Sequence, residues 1–80
     1  MLAMSTDVVV PDLGEIIERV RIVRWLKQVG EAVTEGDDLV EITTDKIDVV
    51  LPSPASGVVS EIHVGPGERA AIGAVIATVA

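Results

Sequence analysis

Few side chains in this 80-residue sequence could act as a nitrogen nucleophile or base: Lys27, Lys46 and His63. There is no cysteine, so thiolate attack, disulfides and Cys-ligated metal are excluded. One histidine cannot make a multi-histidine zinc site. His63 has no Ser, Cys or carboxylate placed to frame it as a catalytic base, and it is expected to be an ordinary strand residue. Lys27 follows Trp25-Leu26 and is expected to be a solvated charge, with Trp25 a packing residue. Lys46 is framed differently. It sits in Glu41-Ile42-Thr43-Thr44-Asp45-Lys46-Ile47-Asp48, between two apolar runs. A tight turn there would hold its amine clear of the bulk, where a second enzyme could reach it. The acids Glu35, Asp37 and Asp38 lack calcium-loop spacing and are expected to form a solvated turn. Gly65-Pro66-Gly67 is followed by no Lys-Ser/Thr pair and no helix, so it is not a phosphate loop.

The elements that must position Lys46 are short. Trp25 is the only aromatic residue, so a core has to be built from Val, Ile, Leu and Ala. The β-branched residues among these favour strands. Strands are predicted over residues 8–11, 19–29, 32–33, 39–43, 47–51, 57–64, 70–71 and 75–79, with Gly-, Pro- and Asp-containing turns between them. Alternation is plain in Arg19-Val20-Arg21-Ile22 and in Val40-Glu41-Ile42-Thr43, the period of a strand with one wet face. A helix over residues 15–28 is the competing assignment, and its β-branched content weighs against it. The sequence also resembles itself. Val8-Val9-Val10-Pro11 parallels Val49-Val50-Leu51-Pro52 at a spacing of forty-one, and Val29–Val33 parallels 66–70 at thirty-seven. The difference puts about four extra residues in the first half, around 13–18. Two similar halves predict two matching sheets related by a quasi-two-fold axis, with Lys46 at the seam between them.

Thirteen acids against six bases give a net charge of −7. Nucleic-acid binding is therefore not expected, since phosphate contact needs a basic face. No apolar run approaches the ~20 residues of a membrane span, and the start lacks the pattern of a secretion signal. Residues 1–6 are expected to be frayed and residues 7–80 to form one domain, monomeric in isolation. Lack of cysteine fits a reducing compartment: the cytoplasm, or the mitochondrial matrix in a eukaryote.

From about Val8 to Val79 the sequence resembles the lipoyl domains of the 2-oxo acid dehydrogenase complexes, found at the amino end of their dihydrolipoamide acyltransferase chains. Val10-Pro11-Asp12-Leu13-Gly14-Glu15 is similar to the family's first strand and loop. Arg24-Trp25-Leu26-Lys27 with Val29–Val33 is similar to its second strand and turn. Thr43-Thr44-Asp45-Lys46-Ile47 resembles the Asp-Lys motif, and 52–57 the return loop. The resemblance implies an all-β flattened barrel, or sandwich, of two four-stranded antiparallel sheets. It implies lipoic acid in amide linkage to Lys46, flanked by Asp45, which would help fix the turn, and by Ile47. It also implies partner recognition by the loop holding Leu13, Gly14, Glu15 and Ile16. The implied partners are a lipoate ligase, a thiamine-dependent 2-oxo acid decarboxylase, an acyltransferase core and lipoamide dehydrogenase. The implied role is that of a non-catalytic carrier shuttling acyl groups and reducing equivalents, in a domain excised from a longer polypeptide.

The nearest alternative is a biotin carrier domain of a carboxylase. Those usually flank their lysine with methionines, where this sequence has Asp45 and Ile47. An unmodified module of the same fold would lack the tip lysine, and a glycine-cleavage carrier would be longer. A small enzyme is opposed by the inventory: no Cys, one His and no metal-ligand cluster.

Overall fold

A computed structural model describes residues 5–12 and 19–80. Eight strands follow in chain order: β1 (Thr6–Val9), β2 (Arg19–Trp25), β3 (Ala32–Val33), β4 (Asp38–Thr43), β5 (Asp48–Pro52), β6 (Gly57–Ile62), β7 (Arg69–Ala71) and β8 (Val75–Val79). They form two four-stranded antiparallel sheets, β1-β8-β6-β3 and β5-β4-β2-β7. The expected all-β fold is what the chain adopts. The competing helix is excluded over its second half, because β2 occupies Arg19–Trp25. That strand stops four residues short of the expected end, and Val29 lies in the following turn, more than half exposed. β1 begins at Thr6, which pairs with Val79, one residue ahead of the expected domain start.

The two sheets have the same strand order once each strand is advanced by four, so β1, β2, β3 and β4 correspond to β5, β6, β7 and β8. The correspondence extends to irregularities. Ile22 pairs with Ile42 and Val59 pairs with Val79, each just before a bulge. Those pairs are thirty-seven positions apart, as the repeat predicted. For the first strand the spacing differs from the expectation: Val8 pairs with Ala77 as Leu51 pairs with Val40, and Thr6 with Val79 as Val49 with Ile42. The spacing there is forty-three rather than forty-one, so the first half carries six extra residues rather than four. The slip of two is invisible to hydrophobic pattern, because moving a strand by two residues leaves the same faces in and out.

Bulges also explain where alternation fails. Val23 and Arg24 both face outward at the β2 bulge, which returns Trp25 to the interior. Leu39 and Val40 are both buried at the β4 bulge, and their counterparts Ile76 and Ala77 in β8 behave alike. The core lies between the sheets and is almost wholly aliphatic: Val8, Val10, Val20, Ile22, Leu39, Ile42, Leu51, Val59, Ile76 and Val79 are its main members. Trp25 closes it at one side, as expected of a packing residue, and its indole Nε1 donates to the Val64 carbonyl at 2.8 Å. Among the described residues the one buried polar side chain is Ser53, whose hydroxyl donates to the Ala55 carbonyl at 2.7 Å.

Candidate functional site

β4 and β5 form the central hairpin, paired from Asp38↔Pro52 to Thr43↔Asp48. Beyond Thr43↔Asp48 the chain turns through Thr44, Asp45, Lys46 and Ile47, with Asp45 and Lys46 at the apex. Both apex residues are exposed, and so is Ile47, at 38%. The fold places Lys46 at a hairpin tip between the two halves of the sequence, as expected, but both arms of that hairpin belong to one sheet, so the tip is not at a seam between the two sheets.

The geometry of the tip follows from what its residues cannot do. Two-residue hairpin turns favour positive φ at one or both apex positions, usually supplied by Gly or Asn. No non-glycine residue among those described has positive φ. The turn is closed by one main-chain bond, Thr44 N–H to the Ile47 carbonyl at 2.8 Å. The rest is done by side chains. Thr44 Oγ1 accepts from the amides of Lys46 at 3.2 Å and Ile47 at 3.1 Å, and lies 3.3 Å from the Ile47 carbonyl. The Thr43 hydroxyl donates to the Asp48 carboxylate, tying the two strand ends together just below. A hydroxyl bonding amides two and three residues onward is the local bond that Ser and Thr offer a turn.

Asp and Thr are both expected to support this turn by bonding nearby backbone groups, with Asp45 helping to fix it. The Asp45 side chain makes no hydrogen bond among the described residues, and Thr44 performs that task instead. The signal was available, since Thr44 is as capable a turn former as Asp45, but only geometry separates them. Leu13, Gly14, Glu15 and Ile16, named as the recognition loop, lie outside the described residues. Lys27 is half-buried in the turn after β2, between Trp25 and Gly30, and is not presented at an apex. His63 is within 3.3 Å of the Thr78 hydroxyl and 3.6 Å of the Glu61 carboxylate, on an exposed surface. No group of three or more His, Cys, Asp or Glu residues among those described is placed to hold a metal ion.

The far end of the hairpin matters as well. Gly36 and Ser53 bond across the base of β4 and β5, and Glu35 N–H donates to the Ser56 hydroxyl. The chain then enters β6, where Val58 exchanges two main-chain bonds with Ala80. Ala80, and Thr6 beside Val79, therefore lie at the base of the hairpin and Lys46 at its other end. Six residues of β4 separate them, about 20 Å of strand.

Comparison with known proteins agrees with this geometry. Residues 6–79 match the family model described as "Biotin-requiring enzyme", the biotin/lipoyl attachment family. The chain is 41% identical over 75 residues to the dihydrolipoyllysine-residue acetyltransferase component of the pyruvate dehydrogenase complex of Corynebacterium glutamicum, covering 94% of this chain and 11% of that protein. It is 38% identical over 76 residues to the succinyltransferase component of the 2-oxoglutarate dehydrogenase complex of Bartonella vinsonii, covering 95% of this chain and 18% of that protein. The chain thus spans under a fifth of the length of these relatives. Among solved structures, the lipoyl domain of the 2-oxoglutarate dehydrogenase complex of Azotobacter vinelandii superposes with a TM-score of 0.76 at 30% identity, covering 92% of this chain and 94% of that one. Relatives of this kind favour the lipoyl over the biotin alternative. The chain belongs to the biotin/lipoyl attachment family, and within it to the lipoyl domains.

Proposed function

We propose that this chain carries lipoic acid in amide linkage on Lys46 and ferries the loaded arm among the active sites of a 2-oxo acid dehydrogenase complex. The observation that carries the proposal is an exposed lysine at the apex of a hairpin whose turn is held by Thr44, at the opposite end from Thr6 and Ala80. Lys46 would hold the lipoyl group through an amide: its neutral Nζ would attack the carbonyl of an ATP-activated lipoyl group, the C–N bond forming as the acyl–oxygen bond to AMP breaks and the amine gives up its proton. A rigid tip favours this step, because the amine arrives in one geometry rather than many. The lipoyl group supplies the acyl-carrying and redox chemistry when bound. The protein's own residues supply reach and presentation, and tethering raises the arm's effective concentration at each site.

The domain itself is proposed to be non-catalytic. A lipoate ligase, a thiamine-dependent decarboxylase, an acyltransferase core and lipoamide dehydrogenase are its proposed partners. Its proposed location is the cytoplasm, or the mitochondrial matrix in a eukaryote, and its proposed state in isolation is monomeric. The test is intact mass and peptide mapping after incubation with lipoic acid, ATP and a lipoate ligase. A single lipoyl adduct on the peptide spanning Lys46, absent from Lys46→Arg, is expected, with the variant's melting temperature unchanged because the side chain is exposed. An adduct on Lys27, or a biotin adduct from a parallel reaction with a biotin ligase and no lipoyl adduct, would overturn the proposal.

A further inference from the structure

The chain is acidic overall, yet its basic residues are not scattered. Arg21 is directly opposite Arg69 on one side and Thr43 on the other, and Thr43 is opposite Asp48. These four therefore form one row across the outer face of the sheet, at the end where the tip begins. Arg19 is two residues from Arg21, so it shares that face, opposite Ala71. Strand spacing puts the Arg21 backbone about 5 Å, and that of Arg69 about 10 Å, from Thr43, the last residue of β4 before the tip. With Lys46, four of the six basic residues gather at this end. All three arginines are exposed.

Their local partners are few. Among the described residues Arg19, Arg21 and Arg69 form no ion pair. Arg24, one row further from the tip, is paired with Glu41 at 2.8 Å. Asp48, at the end of the arginine row, accepts from the Thr43 hydroxyl. Like charges directly opposite on a sheet oppose its formation, so the Arg21–Arg69 pair is not there for the fold. A cationic patch on an anionic protein offers one attractive orientation to an acidic surface, and repels it elsewhere.

We propose that the outer face of β2 and β7, through Arg19, Arg21 and Arg69, docks against an acidic rim around the active-site mouth of the 2-oxo acid decarboxylase that loads the Lys46 arm. The proposal rests on the lipoyl-carrier reading. Docking there brings the tip over the mouth, because the face ends where the hairpin turn starts. An enzyme entered by a tethered arm must hold the domain beside its entrance, and this face is the one the charges single out.

The test compares the lipoylated chain with its doubly reversed variant Arg21→Glu/Arg69→Glu and with Arg21→Lys/Arg69→Lys, using the pyruvate and 2-oxoglutarate decarboxylases of the source organism as probes. The expected result with at least one of them is a kcat/KM for arm loading lower by about tenfold in the reversed variant, mainly through KM, with the dependence on ionic strength flattened. The lysine variant should retain most of the activity and its salt dependence. Loading and salt dependence within twofold of the parent chain for both enzymes would overturn the proposal. Reversed charges that block attachment of lipoic acid, in a variant with an unchanged circular dichroism spectrum, would assign the face to the ligase and overturn it too. Failure of the parent chain itself to accept lipoic acid would instead remove the carrier reading, and this surface with it.

Discussion

Replacing Thr44 with Val keeps the β-branched shape and deletes one hydroxyl. That hydroxyl accepts from two amides, Lys46 and Ile47, in a turn closed by a single main-chain bond. An intramolecular hydrogen bond contributes about 0.5–1.5 kcal/mol net. Both amides belong to exposed residues, so water can replace the lost acceptor, and the low end of that range applies to each. The summed loss is about 1 kcal/mol, confined to the turn. A loss of that size changes the ratio of ordered to open turn by a factor of about five. Where the ordered turn is the form the ligase accepts, kcat/KM for lipoic acid attachment falls by up to that factor. Amide exchange at Lys46 and Ile47 should accelerate by a similar factor, while exchange at Ile42 and Val49 stays unchanged. Thr44→Ser should restore both quantities. Asp45→Ala serves as the contrast: its carboxylate holds nothing in the turn, so exchange should be unaffected, and any fall in attachment would report contact with the ligase. Equal exchange and equal attachment in Thr44→Val and the parent chain would refute the assignment of the turn to Thr44.

Two substitutions test the scaffold. Trp25→Phe keeps most of the apolar contact but leaves the Val64 carbonyl without its indole donor, and should cost about 1–2 kcal/mol in urea unfolding; an unchanged midpoint would show that this bond contributes nothing. Gly57→Ala would drive a Cβ into the Ala80 carbonyl, which also accepts from Val58, and should destabilise by about 1–3 kcal/mol by the same measurement.

Much of the architecture was legible because this core has one chemistry. With no Phe or Tyr and a single Trp, inward positions are marked by Val, Ile and Leu, and alternation located every strand to within a few residues. Misplacements arose where alternation is broken or ambiguous. The apolar pattern extends β2 to Val29 because Leu26 and Val29 look like strand residues, whereas the chain turns after Trp25 and leaves Val29 in solvent. The first-strand repeat was misaligned by two because Val-Val-Val-Pro resembles Val-Val-Leu-Pro more closely than the true match of Val8 and Val9 to Leu51 and Pro52. Ser53 occupies the position where the first half has Val10, both buried, so one half solves with an internal hydrogen bond what the other solves with a methyl pair. Lys46 was legible from its setting, and so was support of the tip by Asp or Thr, but which of the two does it was not, since Thr43, Thr44 and Asp45 stand in succession. The arginine row was out of reach altogether: Arg21 and Arg69 are forty-eight positions apart, and only the β2–β7 register makes them neighbours.

The duplicated sheet order has a consequence for how a carrier is built. Advancing each strand by four maps the β4–β5 hairpin onto β8 and β1, so the counterpart of the Thr43↔Asp48 tip is the place where Val79 meets Thr6. One corner of the fold is therefore a closed turn bearing Lys46, and the equivalent corner is open, holding the two ends of the described chain. Main-chain bonds between Val58 and Ala80 put that open corner at the base of the hairpin, a strand's length from the lysine. The distance between Lys46 and that corner thus follows from the quasi-two-fold arrangement itself: the same geometry that builds the tip in one half sets the meeting of Val79 and Thr6 at the opposite end in the other.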